Sequence, residues 1–124
     1  MLNKLHRLKK NNDIGKVLKQ GKKFTENFLI IKTLPNDLEE TRFAFIISKK
    51  FSKKAVVRNR IRRQVSEVIK DNLKAIKEGI DVVVLSIPGS QERSSEEIKG
   101  TVSRLLVKAN LINNKDNEFS IPNI

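Results

Sequence analysis

The 124-residue sequence has no cysteine, tryptophan or tyrosine, a single histidine and three prolines. Without cysteine there is no disulfide framework and no thiolate zinc site, and a reducing compartment fits. Apolar runs fall far short of the roughly 18 to 20 residues that a membrane span needs. No tryptophan is present to anchor a helix at a membrane surface. The opening segment, Met1 to Arg7, carries charge with no apolar stretch behind it, unlike a secretory signal. These absences together predict a soluble, cytoplasmic protein. The last absence is local: between Thr41 and Ser66 there is no Asp or Glu.

That acid-free window holds nine basic residues: Arg42, Lys49, Lys50, Lys53, Lys54, Arg58, Arg60, Arg62 and Arg63. The whole chain has 26 basic and 14 acidic residues, so outside the window 17 basic residues face 14 acidic ones. Nearly all of the +12 net charge is thus concentrated in one stretch. Single-sign charge of this kind suits a polyanion, because each neutralised phosphate releases condensed counterions. Nucleic acid is the first partner to consider and an anionic membrane surface the second.

Hydrophobic residues, 38% of the chain, fall in periodic runs and suffice for one core. They predict a single domain over residues 1–112, followed by a polar, flexible tail over 113–124. Residues 1–10 place Arg7, Lys9 and Lys10 around leucines, either as a solvated terminus or as a phosphate-contacting arm. Asn11-Asn12-Asp13 offers helix N-caps, Ile14, Val17 and Leu18 form one apolar stripe, and Gly21 suits a left-handed C-terminal residue. Residues 27–34 and 42–48 read as strands, expected to pair antiparallel across the short link between them.

From Ala55 the apolar positions Val57, Ile61, Val65, Val68, Ile69, Leu73 and Ile76 step by three or four. They predict a long helix capped by Ser52 and closed by Gly79. Residues 80–87 form the most apolar run, a strand expected to lie parallel to 42–48. Ser94 and Glu97 read as a capping box opening a last amphipathic helix. The result is an α+β fold, a two-layer α-β-β-α-β-α sandwich.

On the long helix, with Ile61 at 0°, the apolar arc spans about −40° to 120°. Asn59, Arg63, Ser66 and Lys70 gather near 140° to 200°, with Arg60 on a flank and Arg58 and Arg62 near 60° to 100°. The apolar stripe has barely begun at the helix start, so guanidinium groups ring a terminus whose dipole already favours phosphate. Arginine is the side chain suited to bidentate phosphate contact, and Asn59 adds a neutral donor and acceptor.

Ser48-Lys49-Lys50, the following loop and Ala55-Val56-Val57-Arg58-Asn59-Arg60-Ile61-Arg62-Arg63 resemble the signature of the bacterial ribonuclease P protein family. Arg7-Leu8-Lys9-Lys10 with Asp13, Val17 and Gly21 is similar to that family's N-terminal pattern. The resemblance implies a small mixed sheet with a left-handed β-α-β crossover, against the usual right-handed rule. It implies an auxiliary subunit of a ribozyme, in which a catalytic RNA with Mg²⁺ cleaves the 5′ leader from precursor tRNA. No catalytic residue and no bound cofactor or metal would then belong to the protein. RNA-facing residues would be Arg7, Lys9, Lys10, Lys49, Lys50, Lys53, Lys54, Arg58, Asn59, Arg60, Arg62 and Arg63. A cleft between the first helix and the sheet, walled by Ile14, Leu18, Leu29 and Ile31, would hold the leader. Partners would be the catalytic RNA and precursor tRNA, with no membrane and no obligatory protein partner.

Three departures from the family pattern bear on this. Ile14 and Leu18 stand where the family usually has aromatic rings, and Ile31 near where it often has one. Aliphatic side chains cannot stack on bases, an interaction worth about 1 to 3 kcal/mol per base, unless Phe24 or Phe51 reaches the cleft. Ser66 replaces a common Arg, and Ser52-Lys53-Lys54 replaces a glycine-containing loop. The alternative readings are a ribosomal or other structural RNA-binding protein and a protein nuclease. The latter needs clustered carboxylates or a His pair, whereas His6 is expected in a loose arm and the acids are scattered.

Overall fold

The computed structural model describes residues 6–47, 54–86 and 94–112. They form helix α1 (Asn11–Gln20), strands β1 (Lys22–Glu26), β2 (Leu29–Pro35) and β3 (Arg42–Ile46), helix α2 (Ala55–Asp71), strand β4 (Ile80–Ser86) and helix α3 (Ser95–Lys108). The sheet order is β1-β2-β4-β3. Strands β1 and β2 are antiparallel, β2 and β4 antiparallel, and β3 and β4 parallel. The α+β class, the mixed sheet and the parallel crossover through α2 agree with the sequence pattern. The expected 113–124 tail, the Ser52 cap and Ile87 lie outside the described residues.

Four expectations need correction. First, β2 and β3 do not pair, because β4 lies between them. Val82-Val83-Val84 is buried throughout and is covered by neighbours on both edges. Second, Lys22–Glu26 is a strand that the sequence pattern leaves unassigned. It is a polar edge strand with only Phe24 and Glu26 half-buried, and it joins β2 through a two-residue turn where Asn27 has φ 51°.

Third, Asn11 to Asp13 lie inside the first turn of α1, whose N-cap is Lys10 with no side-chain cap. Gly21 is not left-handed either, with φ −71°. It is required by close approach, since a Cβ there would lie 2.5 Å from the Val17 carbonyl oxygen and 3.0 Å from that of Thr33. Fourth, α2 ends at Asp71, where Asn72 Nδ2 donates to the Val68 carbonyl (2.7 Å). A 3₁₀ turn at Leu73–Ala75 continues the apolar stripe, and Gly79 (φ 76°) serves the entry to β4 instead.

Helices cover both sheet faces. Beneath α2 and α3, Leu29, Ile31, Phe43, Val82 and Val84 meet Ile61, Val65, Ile69, Ile98, Val102 and Leu105. On the other face α1 lays Val17, Ile14 and Leu18 over Ala44 and Val83. The capping box of α3 forms as expected, Ser94 Oγ accepting from the Glu97 amide at 3.2 Å.

One polar knot sits where β3 and β4 begin. Arg42 Nε and Nη2 donate to Asp81 Oδ1 (2.8 Å) and Oδ2 (2.7 Å). Asp13 of α1 approaches Arg42 Nη2 at 3.6 Å, and Asn36 Nδ2 donates to Asp81 Oδ1 at 2.8 Å. The hydrogen bond to Asp81 raises the Arg42 pKa above its ordinary value, against the opposing effect of partial burial. Asp81→Ala should lower the unfolding free energy by about 3 kcal/mol, because it strands a half-buried guanidinium. Replacing both partners with apolar residues should recover most of that loss. Urea denaturation measures both; a loss under about 1 kcal/mol for the single variant would show that the pair is not structural.

Candidate nucleic-acid interface

The first turns of α2 start from Lys54, whose backbone is extended and which supplies no side-chain cap. No acidic residue stands in that turn, so the positive end of the helix dipole is left uncompensated by the helix's own side chains. Lys54, Asn59 and Arg63 are exposed, and Arg58, Arg60 and Arg62 are half-buried. Arg62 Nη1 donates to Asn59 Oδ1 at 3.0 Å, so Asn59 offers its NH₂ group outward. Val56, 79% exposed, is an apolar island on the same arc. Guanidinium groups, an amide and helix N–H groups here share one rim, a donor set without an acceptor excess, suited to phosphate oxygens.

Ser66 does not extend this rim. It is 1% exposed, and its hydroxyl donates to the Arg62 carbonyl (2.7 Å). A serine can be buried this way because its own helix satisfies it, whereas the arginine expected at that place could not be. Lys49, Lys50 and Lys53, with Phe51, lie outside the described residues.

A second basic strip is ordered along β3. Arg7 bridges to Phe43, and the Leu8 amide donates to the Phe43 carbonyl at 2.8 Å. Arg7, Lys9 and Lys10 are exposed while Leu8 is buried. His6 is not in a loose arm: its Nδ1 lies 2.9 Å from the Thr41 carbonyl oxygen and donates to it. Arg7, Leu8, Lys9 and Ile14 face residues 43–46 across a groove of about 300 Å³.

The cleft residues are only partly brought together. Ile14 and Leu18 overlook the α1 face of the sheet. Leu29 and Ile31, 0% and 1% exposed, point to the opposite face under α2 and α3, so they cannot wall that cleft. Phe24 packs on that opposite face too. The strand register puts Ile30, Leu85 and Ile46 in one cross-strand row on the α1 face, all half-buried. The next row is Lys23, Lys32, Val83 and Ala44, with Lys32 Nζ donating to the Leu18 carbonyl at 2.8 Å. Lys32 between Ile31 and Thr33 was the available signal: a charged residue marks the less covered face of a strand.

Among the described residues no group of three His, Asp or Glu side chains is placed to hold a metal ion, and four of the carboxylates are held in ion pairs. Asp13 and Asp81 meet Arg42, Glu26 meets Arg104 (3.1 Å) and Lys108 (3.6 Å), and Glu67 meets Lys99 (4.0 Å).

A four-stranded mixed sheet that carries an arginine-ringed crossover helix defines an α+β protein of the nucleic-acid-binding kind. A family model described as Ribonuclease P matches residues 2–110. The chain belongs to the ribonuclease P protein family, and with it to RNA binding and tRNA processing as the protein component of an endoribonuclease. It is 38% identical to the ribonuclease P protein component of Microcystis aeruginosa over 115 residues, covering 90% of this chain and 96% of that one. The component from Alkaliphilus oremlandii is 36% identical over 109 residues, 88% of this chain and 95% of the relative. The RNase P protein of Staphylococcus aureus superposes with a TM-score of 0.82 at 26% identity, over 87% of this chain and 98% of that one.

If the α2 rim binds RNA through phosphates, Arg62→Ala with Arg63→Ala should weaken RNA binding across sequences. The slope of log affinity against log salt should fall by about 1 to 2, while stability changes by less than about 1 kcal/mol. Filter binding across a salt series checks this. An unchanged slope with a lowered melting temperature would make these residues structural.

Proposed function

We propose that this chain docks on the RNA of ribonuclease P through the first turns of α2, while the α1 face of the sheet holds the single-stranded 5′ leader of precursor tRNA. Cleavage itself belongs to the RNA with Mg²⁺. The carrying observation is the arginine rim of α2, at the place where the family signature falls. In this reading the ion pairs of Asp81 and Glu26 serve the fold, and the metal ions of catalysis are held by the RNA.

The protein's contribution is electrostatic and geometric. Neutralising closely spaced phosphates with α2 releases counterions, which lowers the Mg²⁺ concentration that the folded RNA needs. Contacts to the leader exist in the precursor and vanish in the product, so they favour substrate binding without slowing release of mature tRNA. Helix α2 packs on one face of the sheet and α1 on the other, so one molecule can touch both RNAs. The parallel crossover, which starts α2 only after β3 has crossed the sheet, supports this division.

At limiting Mg²⁺, adding the protein to its cognate RNA should raise cleavage of precursor tRNA by at least about tenfold, the scale of a few neutralised phosphates. Single-turnover kinetics measures this. Unchanged cleavage would refute the reading, and cleavage by protein without RNA would place the chemistry on the chain.

A further inference from the structure

Residues 6–10 run beside β3 as an arm, and three hydrogen bonds hold them there. His6 Nδ1 donates to the Thr41 carbonyl oxygen at 2.9 Å, across 35 positions of sequence. The Leu8 amide donates to the Phe43 carbonyl at 2.8 Å, and the Lys10 carbonyl accepts from the Ile14 amide at 3.0 Å, where α1 begins. Thr41 is a firm anchor. It is 4% exposed, its hydroxyl donates to the Lys77 carbonyl, and the same oxygen accepts from the Ile80 amide at 3.2 Å. Of the three bonds that hold the arm, only that of His6 is made by a side chain, so residue identity controls it.

The pinning decides where Arg7 points. Leu8 is buried with Val17, Ala44 and Val83 on the α1 face. Side chains alternate along extended backbone, so Arg7 is turned toward the opposite face. The bridge between Arg7 and Phe43 gives the same answer, since bridged residues share a face and Phe43 packs beneath α2 and α3. Arg7 is exposed and meets no carboxylate among the described residues. Covering the open edge of β3 needs less than this, because the Leu8 amide and side chain already do it. The bond from half-buried His6 adds direction instead.

We infer that His6 is a positioning residue: by holding Thr41 it fixes Arg7 as an extension of the α2 rim, so that the catalytic RNA meets both together. This rests on the docking role proposed above for α2, and adds to it a further contact and the residue that prepares it. The partner is the catalytic RNA because Arg7 is turned to the side of the sheet that carries α2. His6 acts through Arg7 and touches no RNA itself. An unpinned arm would lose conformational freedom on binding, whereas a pinned one has lost it in folding. Preordering therefore changes affinity without changing how many phosphates are neutralised.

The test compares His6→Ala, His6→Asn and Arg7→Gln with the wild type, as full chains binding their cognate catalytic RNA at a temperature where all are folded. Asparagine places an N–H donor near the position of the histidine Nδ1, so His6→Asn is the rescue. His6→Ala should bind about tenfold more weakly at every salt concentration, with the slope of log affinity against log salt unchanged. In the unbound protein its Leu8 amide should exchange with solvent deuterium at least about tenfold faster. His6→Asn should bring both values back to within about threefold of the wild type. Arg7→Gln should instead make the slope shallower by about 0.7 to 0.9, one phosphate contact. Unaltered affinity in His6→Ala, a shallower slope in that variant, or no recovery in His6→Asn would each overturn the inference. So would a loss confined to precursor tRNA binding by the holoenzyme, which would put Arg7 on the leader. A wild-type protein that fails to raise cleavage by its RNA would overturn the proposed function as well, so the two failures are distinguishable.

Discussion

The structure depends on the bidentate contact between Arg42 and Asp81. It locks the beginnings of β3 and β4 side by side, and through Asp13 and Asn36 it draws in α1 and the turn after β2. Because the two strands are parallel, fixing their starts also fixes where β3 ends, four residues or roughly 13 Å further on. The next described element there is α2, led by Lys54. Acidic groups gather at one pole of the sheet and basic groups lead away from the other. Arg42 belongs to the acid-free window by sequence but to the acidic pole by structure. A count of charges along the chain cannot make that distinction.

Much of the fold could be read from residue patterns because the cues were strong. The uninterrupted run Val82-Val83-Val84 marked the central strand, Ser94 with Glu97 marked the last helix, and the three-and-four spacing from Val57 to Ile69 marked α2. What stayed hidden depends on long-range pairing. Lys22–Glu26 has one apolar residue and becomes a strand only because β2 offers it an edge. That β4 separates β2 from β3 is decided by burial on both of its edges, which local spacing does not encode.

The site divided along the same line. The α2 rim was legible because helical periodicity converts directly into position around an axis. The cleft was not, because choosing Leu29 and Ile31 over Ile30 and Lys32 is a one-residue question of strand parity, and one residue exchanges the two faces. Ser66 failed for a further reason. A helical wheel ranks positions by angle, whereas burial of a small hydroxyl depends on whether the backbone can accept its hydrogen bond.

Helix α1 is fastened at both ends. Asp13 reaches Arg42 at its start. At its end Gly21 passes so close to Val17 and Thr33 that no side chain fits, and the Leu18 carbonyl is held by Lys32. A bar bolted twice to a plate behaves as a caliper rather than a hinge. Tied at both ends, α1 presents its side of the sheet already ordered, so for any ligand that meets this face the entropy of fitting falls on the ligand.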